Sequence, residues 1–208
     1  MAQHVDSHLS AIKRHVHLVE RDGKSAATVQ LSRHFDVASQ TLWHAITSQE
    51  EISKWFAPVS GDFKVGGSYA IEGNASGVIE ACEPLAHVAL TWEFAGDVSW
   101  VDLRLNNGSH SGSSFDLCHT SLLSPHWAQY GAGATGVGWE LSFVGLYQYL
   151  VHPNDAKIDE EAFVASDAGK QFVRSSSQGW AEASILPGTT AEAALDAAKR
   201  TTSFYLGV

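Results

Sequence analysis

Two side chains combine titratable chemistry with a sheltered position in the sequence: His119 and Glu140. His119 closes the alternating run Phe115-Asp-Leu-Cys-His119, which puts Phe115, Leu117 and His119 on one strand face. An imidazole on an apolar face could orient a ligand carboxylate or hydroxyl, or move a proton. It could equally be a structural histidine bonded to a backbone carbonyl. Glu140 falls in the first turn of a long apolar helix, where the helix dipole favours a carboxylate. Were the two to meet, they could do acid–base work on one substrate.

The remaining chemistry-bearing residues exclude more than they suggest. His4 and His8 are four apart and His15 and His17 two apart, but no further Cys or His completes a zinc spacing. They read as surface histidines, and no metal or cofactor is expected. Gly131, Gly133, Gly136 and Gly138 lie in Tyr130-Gly-Ala-Gly-Ala-Thr-Gly-Val-Gly-Trp139. No Lys-Ser/Thr follows them, so they are not a phosphate-binding loop. They read as a tight entry to the helix, with Trp139 wedged against a sheet. Gly-x-Ser-x-Gly is absent, and no Ser-His-Asp set can be assigned. Cys82 and Cys118 fall on separate strands and read as free, buried thiols.

The elements that must position these groups change character along the chain. Residues 1–16 are polar and read as a loosely ordered arm. Asp22-Gly23 marks a turn into a strand whose Val29, Leu31, Arg33 and Phe35 share a face. Ser39 can cap a short helix carrying Leu42, Trp43 and Ile46. Ser48-Gln-Glu-Glu51 reads as a capping box opening a second helix with Ile52, Trp55 and Phe56 on one stripe. From Asp62 to Thr120 the period is two, with turns at Gly66-Gly67, Gly73-Asn74 and Asn107-Gly108. Arg104 and Asp116 fall on the polar face of successive strands and could pair across them. The helix spacing then carries Trp139, Phe143, Leu146, Tyr147 and Leu150 on one face, widened by Val137, Leu141 and Val144. Beyond Pro153 the chain is helical in character. Phe172, Ser176, Trp180 and Ala183 line one side of a helix, Pro187-Gly188 interrupts, and Thr189-Thr-Ala-Glu192 opens the last helix.

Composition sets the class. The chain has 208 residues, 44% hydrophobic and 17% charged, enough for one domain with a real core and an extension. Net charge is −10, and between Arg33 and Leu150 four basic residues face twelve acidic ones. No basic footprint for nucleic acid and no basic amphipathic membrane helix is present. No apolar run is long enough to span a membrane, and the N-terminus lacks a signal region, so a cytoplasmic location is expected.

Several ordered motifs are similar to one family. Leu42-Trp43-His-Ala-Ile-Thr47, Trp55-Phe-Ala-Pro58, Gly61-Asp-Phe-Lys-Val-Gly-Gly67, Gly73-Asn-Ala75, Glu83-Pro84, Thr91-Trp92 and Gly136-Val-Gly-Trp139 resemble the Hsp90-ATPase-activator-homologue branch of the START/Bet v 1-like (SRPBCC) superfamily. The resemblance covers roughly residues 17–151. Ala132 stands where the family commonly has proline, which should loosen the turn before the long helix.

The resemblance implies an α+β helix-grip (Bet v 1/START-like) fold. A curved antiparallel sheet of about six or seven strands would wrap a long helix. The domain would span 17–153, with the arm 1–16 before it and a helical extension 154–208 packed on it. Between sheet and helix the family implies a cavity for a small hydrophobic molecule. Trp92, Phe94, Leu103, Phe115, Leu117 and His119 would line it from the sheet, with Trp55, Phe56 and Tyr69 closing one end. Trp139, Glu140, Phe143 and Tyr147 would approach from the helix. The expected partner is a small apolar or aromatic molecule. An enzyme of cyclase or hydrolase type on a polyketide or aromatic substrate is the first alternative, and a chaperone-related interaction module the second. The extension would cap the cavity or form a homodimer interface.

Overall fold

The structure is a computed structural model, and its description covers residues 7–107, 112–185 and 188–208. The expected turn residue Gly108, the breaker Pro187 and His4 lie outside the described residues. Strands β1 (Ile12–Arg21) and β2 (Lys24–Phe35) precede helices α1 (Ser39–Thr47) and α2 (Gln49–Trp55). Strands β3 (Val59–Gly61), β4 (Ser68–Ile71), β5 (Ser76–Glu83), β6 (His87–Phe94), β7 (Asp97–Asn107) and β8 (Ser113–Leu122) follow. Helices α3 (Pro125–Tyr130), α4 (Gly133–Val151), α5 (Glu160–Ala165), α6 (Asp167–Ile185) and α7 (Ala191–Leu206) complete the chain. The strands form one antiparallel sheet ordered β1-β2-β8-β7-β6-β5-β4-β3. This is the helix-grip α+β architecture, with eight strands rather than six or seven. The difference arises at the N-terminus, where β1 begins at Ile12, inside the segment read as an arm. Its alternation is masked by His15 and His17, both exposed, opposite the buried Ile12 and Val16.

By density of contacts the described residues form two units, cut differently from the 17–153 and 154–208 division. The first draws on Met1–Leu31, Leu122–Leu141 and Ile158–Val208, and the second on Ser32–Ser121 and Ser142–Lys157.

In the first unit, Phe172, Val173, Ser176 and Trp180 of α6 are buried, as their one-sided spacing requires. Gly133, Gly136 and Gly138 of α4 face this extension. A Cβ on Gly136 would stand 2.1 Å from Trp180 Cε2, and one on Gly138 would stand 2.9 Å from Tyr205 Oη. The glycine run is therefore a seat for C-terminal aromatic side chains, which its reading as a helix entry did not foresee. Tyr205 Oη donates to Ala134 O at 2.7 Å, and Thr201 Oγ1 donates to Tyr130 O at 2.9 Å. Thr190, not Thr189, caps α7 by accepting from the Ala193 N–H at 3.3 Å. Phe204, expected in packing or an interface, is 58% exposed.

In the second unit the alternation of β6, β7 and β8 is realised as register. Leu90 opposes Val101, Trp92 opposes Ser99, Leu103 opposes Leu117, Leu105 opposes Phe115, and Val101 opposes His119. These pairs share the inner face, and Val101, Leu105, Phe115 and Leu117 are buried. The β6–β7 hairpin turns through Ala95 and Gly96, whose φ values of 52° and 88° suit a two-residue turn. Phe143 of α4 stacks on Phe115 at 5.2 Å and tilts against Phe35 at 6.2 Å. Gly145 lets α4 approach α2, since a Cβ there would lie 2.9 Å from Trp55 O. A cluster of Val59, Tyr69, Ile79 and Val88 packs with Trp43, Ile52, Ile71, Leu90 and Leu103.

Three local expectations are corrected here. Ser39 is the first residue of α1 rather than its cap, and its hydroxyl pairs with Ser113 Oγ at 2.9 Å. Ser48 makes no side-chain cap to α2, and Glu51 instead accepts from Tyr149 Oη and Lys54 Nζ. Arg104 and Asp116 do oppose each other, yet Arg104 turns to Asp102 at 3.3 Å and Asp116 accepts from Asn106 at 2.9 Å. Both cysteines are free, but the reading of them as buried does not hold: Cys82 is exposed on β5 and Cys118 half-buried on β8. No helix among the described residues is long and apolar enough to cross a membrane.

Candidate functional site

In the second unit, Trp92, Leu103, Phe115, Leu117 and His119 of the expected residues share one strand face. Period-two alternation turns Leu90 and Trp92 of β6, Ser99, Val101 and Leu103 of β7, and Leu117 and His119 of β8 the same way. The middle of this face is incompletely covered. Val101 and Leu117 are buried, whereas Leu90, Trp92 and Leu103 are only half-buried. Trp55 and Phe56, also half-buried, tilt against each other with ring centroids 5.5 Å apart at the end of α2. Trp55 Nε1 donates to Ala45 O at 2.9 Å, which fixes its ring. Tyr69 is buried, and its hydroxyl donates to Thr91 O at 2.7 Å. Burial pushes the Tyr69 phenol up, with Glu93 adding to it, so it stays protonated.

His119 is the polar point of this face. Its Nε2 lies 2.8 Å from Ser99 Oγ, and Ser99 Oγ donates to Trp92 O at 3.0 Å. With the serine proton directed to Trp92, Nε2 is the donor to the serine oxygen. The Trp92 and His119 rings lie 5.9 Å apart. Burial pushes the imidazole down to about 4, so it is neutral at physiological pH. The serine oxygen of this pair, beside the indole, can still accept from a ligand hydroxyl. As a general base at pH 7 such an imidazole is weak. Ser99 was missed in the sequence, although its parity with Val101 and Leu103 put it on the inner face.

Arg33 was also passed over. It lies on β2 with Phe35 and is 5% exposed. Its guanidinium carbon sits 4.3 Å from the Tyr147 ring centroid and 5.3 Å from that of Phe35. Burial lowers its pKa to about 10, with Tyr147 acting in the opposite sense, and it remains a cation at neutral pH. A charged residue on the otherwise apolar face Val29-Leu31-Phe35 was the available signal.

Three expected residues lie elsewhere. Phe94 is 55% exposed at the β6–β7 hairpin. Trp139, half-buried, and Glu140 belong to the first unit. Glu140 is fully buried and takes Arg14 Nε at 2.6 Å and Nη2 at 2.9 Å, a bidentate pair. Burial pushes its carboxyl up, while Arg14 and then Ser176 and Trp180 pull it down. The last two contribute by proximity only, since Ser176 Oγ and Trp180 Nε1 are outside hydrogen-bond geometry. Glu140 thus serves as a buried anchor within the first unit, with both carboxylate oxygens committed. No group of three or more metal-ligating side chains occurs among the described residues.

Comparison with known structures follows the fold. CalU16 from Micromonospora echinospora superposes with a TM-score of 0.70 at 25% identity, covering 83% of this chain and 98% of that one. An HSP90 activator from Plasmodium falciparum gives a TM-score of 0.52 at 17% identity, covering 60% of this chain and 95% of that one. The Aha1 dimer from Colwellia psychrerythraea gives a TM-score of 0.52 at 12% identity, covering 62% of this chain and 98% of that one. The latter two are likenesses of fold. No curated protein matches the chain. A family model does match, over residues 36–151, and it spans α1 to the end of α4. The chain belongs to the family of activator of Hsp90 ATPase homolog 1-like proteins.

Proposed function

We propose that the second unit holds a small, largely apolar molecule against the inner face of β6, β7 and β8. The observation that carries this reading is the incomplete cover of Leu90, Trp92 and Leu103 beside the buried Val101 and Leu117. Apolar side chains left half-open in the middle of a core face are what a ligand would bury. Such sites are apolar with a few placed polar groups, a role His119 and Ser99 would fill. Leu103, Phe115, Leu117, Phe143 and Tyr147 would form the walls, with Trp55, Phe56 and Tyr69 at one end. Burying about 100 Å² of apolar surface is worth roughly 2.5 kcal/mol, so modest contact supports useful affinity.

The catalytic alternative loses one of its two groups, because both Glu140 oxygens are taken by Arg14. The interaction-module alternative has the HSP90 activator as a neighbour, but at 17% identity that likeness carries the fold alone.

Native mass spectrometry of the purified protein, followed by solvent extraction, tests the proposal. The extracted protein is then titrated with 2-naphthol while tryptophan fluorescence is followed. A retained apolar species, or saturable quenching that Leu103→Asp abolishes, is the expected result. Absence of both overturns the reading.

A further inference from the structure

We infer that the ligand of this face carries an anionic group, and that Arg33 receives it. The inference rests on the binding reading above and names the ligand's chemistry. Arg33 projects from the inner side of β2, next to the ring stack of Phe35, Phe143 and Phe115. Its guanidinium lies over the Tyr147 ring at 4.3 Å, so aromatic surface takes the face of the cation. A guanidinium carries its five N–H donors in its own plane. Ring stacking therefore leaves the in-plane N–H donors for hydrogen-bond acceptors, of the protein and of a ligand alike.

The electrostatics of the surrounding face point the same way. Holding a guanidinium at 5% exposure is opposed by its desolvation. Any anion brought to the inner face lowers that cost, whatever else Arg33 contacts. On the inner positions of β6, β7 and β8 the buried titratable group, His119, is neutral, and Asp97 lies exposed at the hairpin end of β7. A planar carboxylate matches the guanidinium fork, and the neighbouring rings favour an aromatic body. The class of ligand is thus an aromatic or polycyclic carboxylic acid.

The test compares 2-naphthoate with its neutral isostere 2-naphthamide on the wild-type protein. Charge-assisted bonding should favour the acid by about 10- to 100-fold in Kd. In Arg33→Met the preference for the acid over the amide should vanish. Should that variant not fold, the Nε–H resonance of Arg33 in the wild-type protein decides. It should shift on adding naphthoate and stay in place with naphthamide. Equal affinity for the two probes, a preference that survives Arg33→Met, or an Nε–H signal indifferent to naphthoate overturns the assignment and leaves the binding reading standing. If neither probe binds, both this inference and the binding reading on which it rests are lost.

Discussion

Replacing Gly136 by alanine should destabilise the protein, against the usual gain from removing a glycine from a helix. Within a helix, alanine is favoured over glycine by about 1 kcal/mol. Here the added Cβ would stand 2.1, 2.4 and 2.5 Å from Cε2, Nε1 and Cδ2 of Trp180. Carbon atoms settle at roughly 3.5 Å, so the indole would have to withdraw by more than an ångström. Trp180 is fully buried, and a close-packed interior does not yield that distance freely. Overpacking costs about 1–3 kcal/mol, and three ring atoms in conflict at once place this site at the upper end. The net loss should be about 2 kcal/mol after the helix gain is subtracted. For a chain of this size that corresponds to a fall in Tm of roughly 4–8 °C. Urea titration and a thermal melt would measure it. Adding Trp180→Phe should recover part of the loss, with a coupling of about 1 kcal/mol in the double-mutant cycle. A Gly136→Ala protein as stable as the wild type, or strict additivity with Trp180→Phe, would refute the steric argument.

Three further outcomes are expected. His119 sits near 4 when folded against 6.5 as a free side chain, because burial disfavours its cation. Its contribution is whole above pH 6.5 and is lost as pH falls from there to about 4; His119→Gln should flatten that interval in a series of urea melts. Burial, with Asp102 and Asp116 adding, pushes the Cys118 thiol up to about 11. Iodoacetamide at pH 8 should therefore alkylate the exposed Cys82 well before Cys118, read by peptide mass spectrometry. Thr190→Ala removes the α7 cap and should cost about 1 kcal/mol, with faster hydrogen exchange confined to the first turn of that helix.

The legibility of this chain follows the distance over which each cause acts. Alternation is a local signal, so the inner positions of β7 and β8 were readable, and their partners confirm one face: Leu103 with Leu117, Leu105 with Phe115. The parity of His119 was readable for the same reason. The capping box at Ser48 was a local signal too, but Glu51 is drawn away by Tyr149, 98 positions later. No window of sequence contains that competitor. Arg14 looked like part of a polar arm because its meaning depends on Glu140, 126 positions on. The glycines before the long helix were visible, while the side chain they accommodate, Trp180, was not. Arg33 and Ser99 were visible on apolar faces and went unweighted, since a polar residue in an alternating strand reads as a break in the pattern before it reads as a site.

The slot at Gly136 bears on how this protein can be cut and recombined. Removing everything after Pro153 looks like the deletion of an accessory, because the family match ends at residue 151. It would instead strip Trp180 from its groove and leave the paired Arg14 and Glu140 side chains open to water. The smallest transplantable piece therefore includes the tail. Grafting that tail onto a shorter relative would also require glycine at the position equivalent to 136, and an acid and a base at those equivalent to 140 and 14. Trp180 and Gly136 behave as a matched plug and socket, and swapping one without the other should yield a less stable protein.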